Sequence, residues 1–446
     1  MLKLLVAWFL TIFLFTGAAI AQVPASASAQ VNSASSKAVP VITLDDAIRR
    51  AKQNSIQFLA AMMDAKIAHE NSVQARAAIL PSITYNNAYL YTQGNGTPVP
   101  RYIANNAVHE YISQGNAHQA INAGPGAFAD ITVARAGEAV ARARAEVASR
   151  GLVLTVVQAY YGVLSAQQRV VNSQAAADEA QNFVNLTKRL EQGGEVAHSD
   201  TIKAELQYND RSRDVMEQRL TADKARLDLA VLIFADFNQN FTLANDLNTQ
   251  PPLPSMPETE ARAEKNNPDL RVALERVKAT AAEVNVARGA YFPTFTLDWY
   301  YGIDAAHFAT YEPNGLPNLG YSALATLNIP VWNWFATQSR VKQAQYQQQQ
   351  AKVELSATQR ELIANLHAFY SEAEGSLREL ELLKRSAALA EESLRLTNLR
   401  YQAGEATALE VVDAENTLVT SRSLLADGEA RYRTALANLQ TLTGTL

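Results

Sequence analysis

Glu191-Gln192-Gly193-Gly194-Glu195-Val196-Ala197-His198-Ser199-Asp200 returns 210 positions later as Tyr401-Gln402-Ala403-Gly404-Glu405-Ala406-Thr407-Ala408-Leu409-Glu410. The same slide lays Leu186-Thr187 on Leu396-Thr397, Ala204-Glu205 on Ala414-Glu415 and Leu229 on Leu439. A slide of 212 works upstream, where Ala75 to Pro81 meets Ala287 to Pro293 and Asn54 meets Asn266. The chain is therefore an internal duplication, and a repeat this long decides architecture ahead of any local motif. The two structural repeats are placed at 41–250 and 251–446, divided at the Pro251, Pro252, Pro254 and Pro257 cluster, which a helix cannot run through.

Around each glycine turn the flanking sequence reads as helix. Apolar residues recur at Val153, Val157, Tyr160, Leu164 and Val171, and again at Leu355, Leu362, Leu366, Phe369, Ala373, Leu377 and Leu380. Steps of three, four and seven give a narrow packing stripe. No proline falls between Asp130 and Gln192 or between Phe335 and Gln402, so each span is expected to be one helix of about 60 residues, about 90–100 Å long. Such an element cannot fit in a compact domain. A return helix of about 35–45 residues should follow each turn. Thr43-Leu44-Asp45-Asp46 has the pattern of a helix start, opening a helix expected to run to Leu80, with its duplicate from Pro257 to Phe292. Two shorter helices laid end to end match one long one, which suggests a wall of full-length helices alternating with stacked pairs.

After Pro81 and Pro293 the period changes to two. Ile83, Tyr85, Tyr89 and Tyr91 share one face, and so do Phe295, Leu297, Trp299 and Tyr301 in the second copy. About ten residues of sharp alternation is the length of a transmembrane β-strand, and aromatics near its ends suit the lipid headgroup level. Descending partners are expected near 113–123 and 321–331, after loops at 93–112 and 304–319. Four strands per chain cannot close, and bare sheet edges in hydrocarbon cost several kcal/mol per unpaired group, so copies of the chain must join. Strand counting does not choose between two copies and three.

The N-terminus fits an exported protein. Lys3 precedes an apolar run ending at Phe15, and Ala19-Ile20-Ala21 supplies small residues for cleavage, so 1–21 reads as a signal peptide and 22–40 as a flexible Ala/Ser-rich segment. With no cysteine, a lipid-anchored form, a disulfide framework and a thiolate metal site are excluded. A net charge of −5 with both signs dispersed argues against nucleic acid as a partner.

Together, the duplicated glycine turns, the Ala-Arg-x-Ala-x-x-Pro lead-ins to the strands and Leu327-Asn328-Ile329-Pro330-Val331-Trp332 before a long helix resemble the TolC-like outer-membrane efflux protein family. The resemblance covers nearly all of the chain beyond the signal peptide. It implies a mostly α fold with a small antiparallel β part, built as a homotrimer. A twelve-stranded transmembrane β-barrel continues into an α-helical barrel through the periplasm. It also implies a periplasmic membrane-fusion adaptor and an inner-membrane pump of the resistance-nodulation, ABC or major-facilitator type as partners, with outer-membrane lipid around the barrel. The turns at Gly194 and Gly404 become periplasmic tips that dock the adaptor, and Tyr401 matches the family's tip aromatic. Glu410 and Asp413, and with them Asp200, become an entrance ring that selects cations. Tyr85, Tyr89, Tyr91, Phe295, Trp299 and Tyr301 become lipid-facing. Where the family places an arginine and an acid that latch the tip, this chain has Ala406 and Asn209. An ionic latch is therefore not expected, and closure should rest on packing and on hydrogen bonds from Tyr401 or Asn209.

No catalytic chemistry appears. The six histidines lack metal-ligand spacing on a helix, and no Walker loop, dinucleotide glycine pattern, nucleophile elbow or zinc-protease helix occurs. No cofactor and no enzyme activity are expected. The competing reading is a periplasmic or secreted coiled-coil scaffold without membrane insertion, in which 82–92, 294–301 and 321–331 would be loops.

Overall fold

The computed structural model of the protein describes residues 40–446, apart from 94, 95, 97–106, 123, 127, 237, 238 and 446. The expected signal peptide, nearly all of the expected Ala/Ser-rich segment and much of the loop expected at 93–112 lie outside the described residues. Internal contacts set Val41–Leu446 apart as one unit, which carries everything that follows.

The elements run β1 (Val41–Ile42), α1 (Leu44–Asn54), α2 (Ile56–Ala77), β2 (Ser82–Tyr91), β3 (His109–Asn122), α3 (Ala129–Gln192) and α4 (His198–Ile233). They continue as β4 (Thr242–Leu243), α5 (Met256–Asn266), α6 (Pro268–Gly289), β5 (Thr294–Ala305), β6 (Leu319–Asn328), α7 (Ala336–Gln402) and α8 (Ala408–Thr443). The 64 and 67 residues of α3 and α7 make rods of about 96 and 100 Å. Both return helices have 36 residues.

The expected single helix from Thr43 to Leu80 is two helices, and so is its duplicate. Thr43 caps α1 by accepting from the Asp46 N–H, but the chain turns extended at Ser55, whose hydroxyl accepts from the Phe58 N–H to start α2. Asn267, 212 positions on, does the same for Leu270, and Pro268 forbids the helical conformation before it. A break conserved through the duplication bends each upper helix at one place.

Val153, Val157, Tyr160 and Leu164 are buried against α1, α4 and the β1/β4 pair, forming the largest core. Val171 departs from the expected stripe and is exposed. The Tyr160 side chain, 1% exposed, sends its hydroxyl to the Ala244 carbonyl at 2.7 Å and lies 3.3 Å from that of Ile42, tying the short parallel strands to α3. Tyr160→Phe removes the hydroxyl from the Ala244 carbonyl, while the Ile42 carbonyl keeps the Ala244 N–H, at a cost of about 1–2 kcal/mol. Hydrogen exchange around 41–43 and 242–247 should then speed up by roughly tenfold; unchanged protection would remove the clamp.

The four longer strands form one antiparallel sheet in the order β2-β3-β5-β6. Register puts Tyr85, Gly115, Tyr301 and Tyr321 in one row and Ile83, Ala117, Trp299 and Ala323 in the next. All odd-numbered positions share that face, which is mainly apolar and aromatic. The even face carries Thr84, Gln114, Asn116, His118, Thr296, Asp298 and Thr326, with His118 Nδ1 2.7 Å from Asp298 Oδ1. Tyr85, Tyr89, Tyr91, Trp299 and Tyr301 are exposed, while Phe295 is half-buried. β3 begins at His109, earlier than expected, because Tyr111 and Ile112 extend its pairing with β2 and β5; β6 ends at Asn328, three residues short of the expected 331. His109 and His118 fall on opposite faces, which rules out a shared metal. β2 and β6 end the sheet with unpaired edges among the described residues.

Below the sheet, α3 packs on α2, α6, α4 and α8, and α7 packs on α6 and α8. This leaves α2 and α4 on one flank and α7 on the other.

Candidate functional site at the helical tips

Both long helices end in the same backbone lock. Gly194 and Gly404 take φ of +76° and +75°, the left-handed region that favours glycine. The Glu195 N–H reaches back to the Leu190 carbonyl and that of Glu405 to Arg400, at 2.9 and 2.8 Å. Open space surrounds both glycines, so backbone conformation alone demands them.

The side chains at the two tips differ. In the first, Glu191 accepts from Thr201 Oγ1 at 2.5 Å and lies 2.8 Å from His198 Nδ1, bridging the turn. The Thr201 hydroxyl, then His198, holds this carboxyl below the ordinary carboxylate range. Asp200 is half-buried, with the Lys203 ammonium 3.3 Å away.

In the second tip Glu410 closes a capping box. Its backbone N–H donates to Thr407 Oγ1, and its carboxylate accepts from the Thr407 N–H at 3.1 Å. Arg400 stands 3.5 Å from the other carboxylate oxygen and donates to the Glu405 carbonyl. The Thr407 N–H, its hydroxyl and then Arg400 hold Glu410 below the usual range. Asp413, three residues on along the same face, is exposed, and its carboxylate has no ion pair or hydrogen bond among the described residues. Of the three acids singled out from sequence, Asp413 alone is uncompensated. Asp200 and Glu410 each have a basic neighbour.

Tyr401 is buried, 4% exposed, with its ring centroid 5.2 Å from that of Phe183. It sits among Val184, Ala204, Leu394, Val411 and Leu418, so its side chain builds the core joining the two hairpins and offers no docking surface. Its hydroxyl has no partner among the described residues of the single chain. Burial, and then the Asp200 charge, pushes its pKa up. Ala406 is half-buried against the same core, and Asn209 is exposed on α4.

Sequence reading missed an acid pair one layer above. Glu415 of α8 is 4% exposed, and its Oε2 has no partner among the described residues. Burial, then the nearby Glu179 charge of α3, raises its pKa to about 7, while Arg211 of α4 pulls the other way. Glu179 is itself raised, by burial first, between Arg422 of α8 and Glu391 of α7. No spacing rule reveals a carboxyl buried by helices distant in sequence.

Comparisons with known proteins agree on one kind of molecule. The family described as "Outer membrane efflux protein" matches residues 261–445. The chain is similar to the proteases secretion protein PrtF of Dickeya chrysanthemi, 24% identical over 411 residues, covering 90% of this chain and 88% of that one. It is similar to the outer membrane protein TolC of Escherichia coli (strain K12), 25% identical over 309 residues, covering 66% and 62% of the two chains. Its fold resembles the crystal structure of the Campylobacter jejuni CmeC outer membrane channel, with a TM-score of 0.76, 15% identity and coverage of 90% and 85%.

Proposed function

We propose that this chain is a member of the TolC-like outer-membrane efflux protein family and serves as the outer-membrane exit duct of a tripartite efflux or type I secretion system. It conducts substrates passively from an inner-membrane pump, across the periplasm, to the outside. It is a channel protein and no enzyme. The observation that carries the reading is one sheet with an apolar face, a polar face and two bare edges, joined to helices about 100 Å long. A scaffold dissolved in water has no use for that face.

Closure by copies follows from the flanks. β2 and β6 present their edges on opposite sides of the sheet, α2 and α4 show Met63, Ile67, Leu206 and Leu220, and α7 shows Tyr346, Val353, Leu382 and Leu389. A through-running helix on one flank meets a stacked pair on the next copy. The homotrimer gives twelve strands, with Tyr85, Tyr89, Tyr91, Trp299 and Tyr301 toward lipid and Phe295 at their margin. Residues 1–21 serve as a cleaved signal peptide, without a lipid anchor, and 41–250 and 251–446 are the two repeats. The partners are a periplasmic adaptor docked around the Gly194 and Gly404 turns and a pump of the resistance-nodulation, ABC or major-facilitator type. Closure rests on the packing around Tyr401 and Phe183, with Ala406 and Asn209 supplying no ionic latch.

The entrance ring is the testable part of the site. Glu410→Ala with Asp413→Ala should weaken block by a trivalent cation added at the periplasmic mouth by roughly tenfold. Asp413→Ala alone should give most of the effect, because Arg400 and Thr407 already occupy Glu410. Equal block in planar-bilayer recordings of all three channels would take these acids out of the entrance.

A further inference from the structure

We infer that residues 329–335, the strap between β6 and α7, anchor the protein at the membrane interface, with Trp332, Trp334 and Phe335 seated in the phospholipid headgroup layer. The inference rests on the membrane position of the sheet proposed above. The strap is unusual in its backbone. Trp334 and Phe335 take φ of +53° and +64°, the only non-glycine residues with positive φ among those described. Bulky L side chains rarely adopt that conformation. Glycine would fit there without strain, yet the chain keeps two large rings.

Packing within the chain does not compensate. Trp332, Trp334 and Phe335 are 63%, 82% and 64% exposed. They touch one another edge to face, with the Trp332 ring 5.8 Å from Trp334 and 5.3 Å from Phe335. What holds them must lie outside the chain.

Position identifies it. Asn328 pairs with Thr294, the first residue of β5, so the strap leaves the sheet at the same end as the exposed Tyr291 and Phe292. Leu327, Ile329 and Val331, all exposed, carry the apolar face down to the strap. Just beyond, α7 opens with exposed Gln338, Arg340 and Lys342. Apolar surface, then indole rings, then cations is the order in which a bilayer changes from acyl chains through the ester and glycerol layer to the phosphates. The strap thereby sets the height at which α7 leaves the membrane.

Tryptophan fluorescence tests this, because the chain has only Trp8, Trp299, Trp332 and Trp334. In a Trp8→Phe background, Trp299→Phe reports the strap alone, and Trp332→Phe with Trp334→Phe reports mid-sheet Trp299 alone. Both proteins go into nanodiscs of phosphatidylcholine brominated near either the ester or the methyl end of its chains. Strap emission should be quenched at least about twofold more by ester-end bromine, and Trp299 emission more by methyl-end bromine. Strap emission untouched by both lipids while Trp299 is quenched would overturn the anchor and leave the channel reading standing. Stronger methyl-end quenching of the strap would also overturn it. Neither site quenched would remove the membrane position and the anchor together.

Discussion

Leu382→Glu, Leu389→Glu and Leu396→Glu introduced together should leave a folded protomer that no longer assembles. These leucines lie seven apart on α7 and are 68%, 62% and 46% exposed in the single chain, so their replacement disturbs little of the packing inside it. Each leucine buried between copies contributes about 1.5–3 kcal/mol, and a carboxylate put in its place must be neutralised or desolvated there. Three positions per seam then cost more than about 5 kcal/mol, enough to shift assembly by over a thousandfold. Blue-native electrophoresis of detergent extracts should show the variant as single chains with wild-type helix content by circular dichroism. An intact oligomer would mean that α7 is not the seam.

Glu415→Gln should stabilise the protein near pH 8 and flatten its response to pH. The folded-state pKa of Glu415 is raised from 4.5 to about 7, so between those values the folded state holds a proton that the unfolded chain releases. The stability that this carboxyl contributes is therefore fully present at and below about pH 4.5, falls as pH rises toward 7 and levels off above it. The loss is on the order of 3 kcal/mol for a fully buried carboxyl. Glutamine keeps the shape and carries no charge toward Glu179, so the variant should resist heat best relative to wild type above pH 7. Because α3 and α8 belong to different hairpins, the same proton tightens the tip where they meet. Light scattering on heating at pH 5 and pH 8 measures both arms; parallel wild-type and variant profiles would show that Glu415 is solvated.

Much of this molecule is legible in its sequence because the repeat multiplies each weak signal by two. Gly194 and Gly404 mark their turns through a backbone need that no other residue meets as well, and long proline-free spans show α3 and α7 directly. Alternation in 83–91 and 295–301 exposes the strand faces for the same reason, since period two survives any tertiary context. The helix break at Ser55 carries no proline or glycine to mark it, whereas Pro268 announces the one at Asn267. β3 gives a weak signal because one face is polar, with Gln114, Asn116 and His118, and the other is interrupted by Ser113, Gly115 and Gln119.

At the tips, residue type was easier to read than residue duty. Thr407-x-x-Glu410 is visible as a capping box, yet Arg400 across the turn, which makes Asp413 the freer acid, belongs to geometry. From sequence Tyr401 enters only as a match to the family's tip aromatic; Phe183, 218 positions away, shows it to be core. Glu415 resembles any helical glutamate until four helices close around it.

The unpaired edges of β2 and β6 lead to one decisive measurement, the native mass of the protein extracted from outer membranes in mild detergent. Three copies per particle, with no free protomer at working concentration, is the expected result. A stable single chain that remains in the bilayer with both sheet edges bare would contradict it.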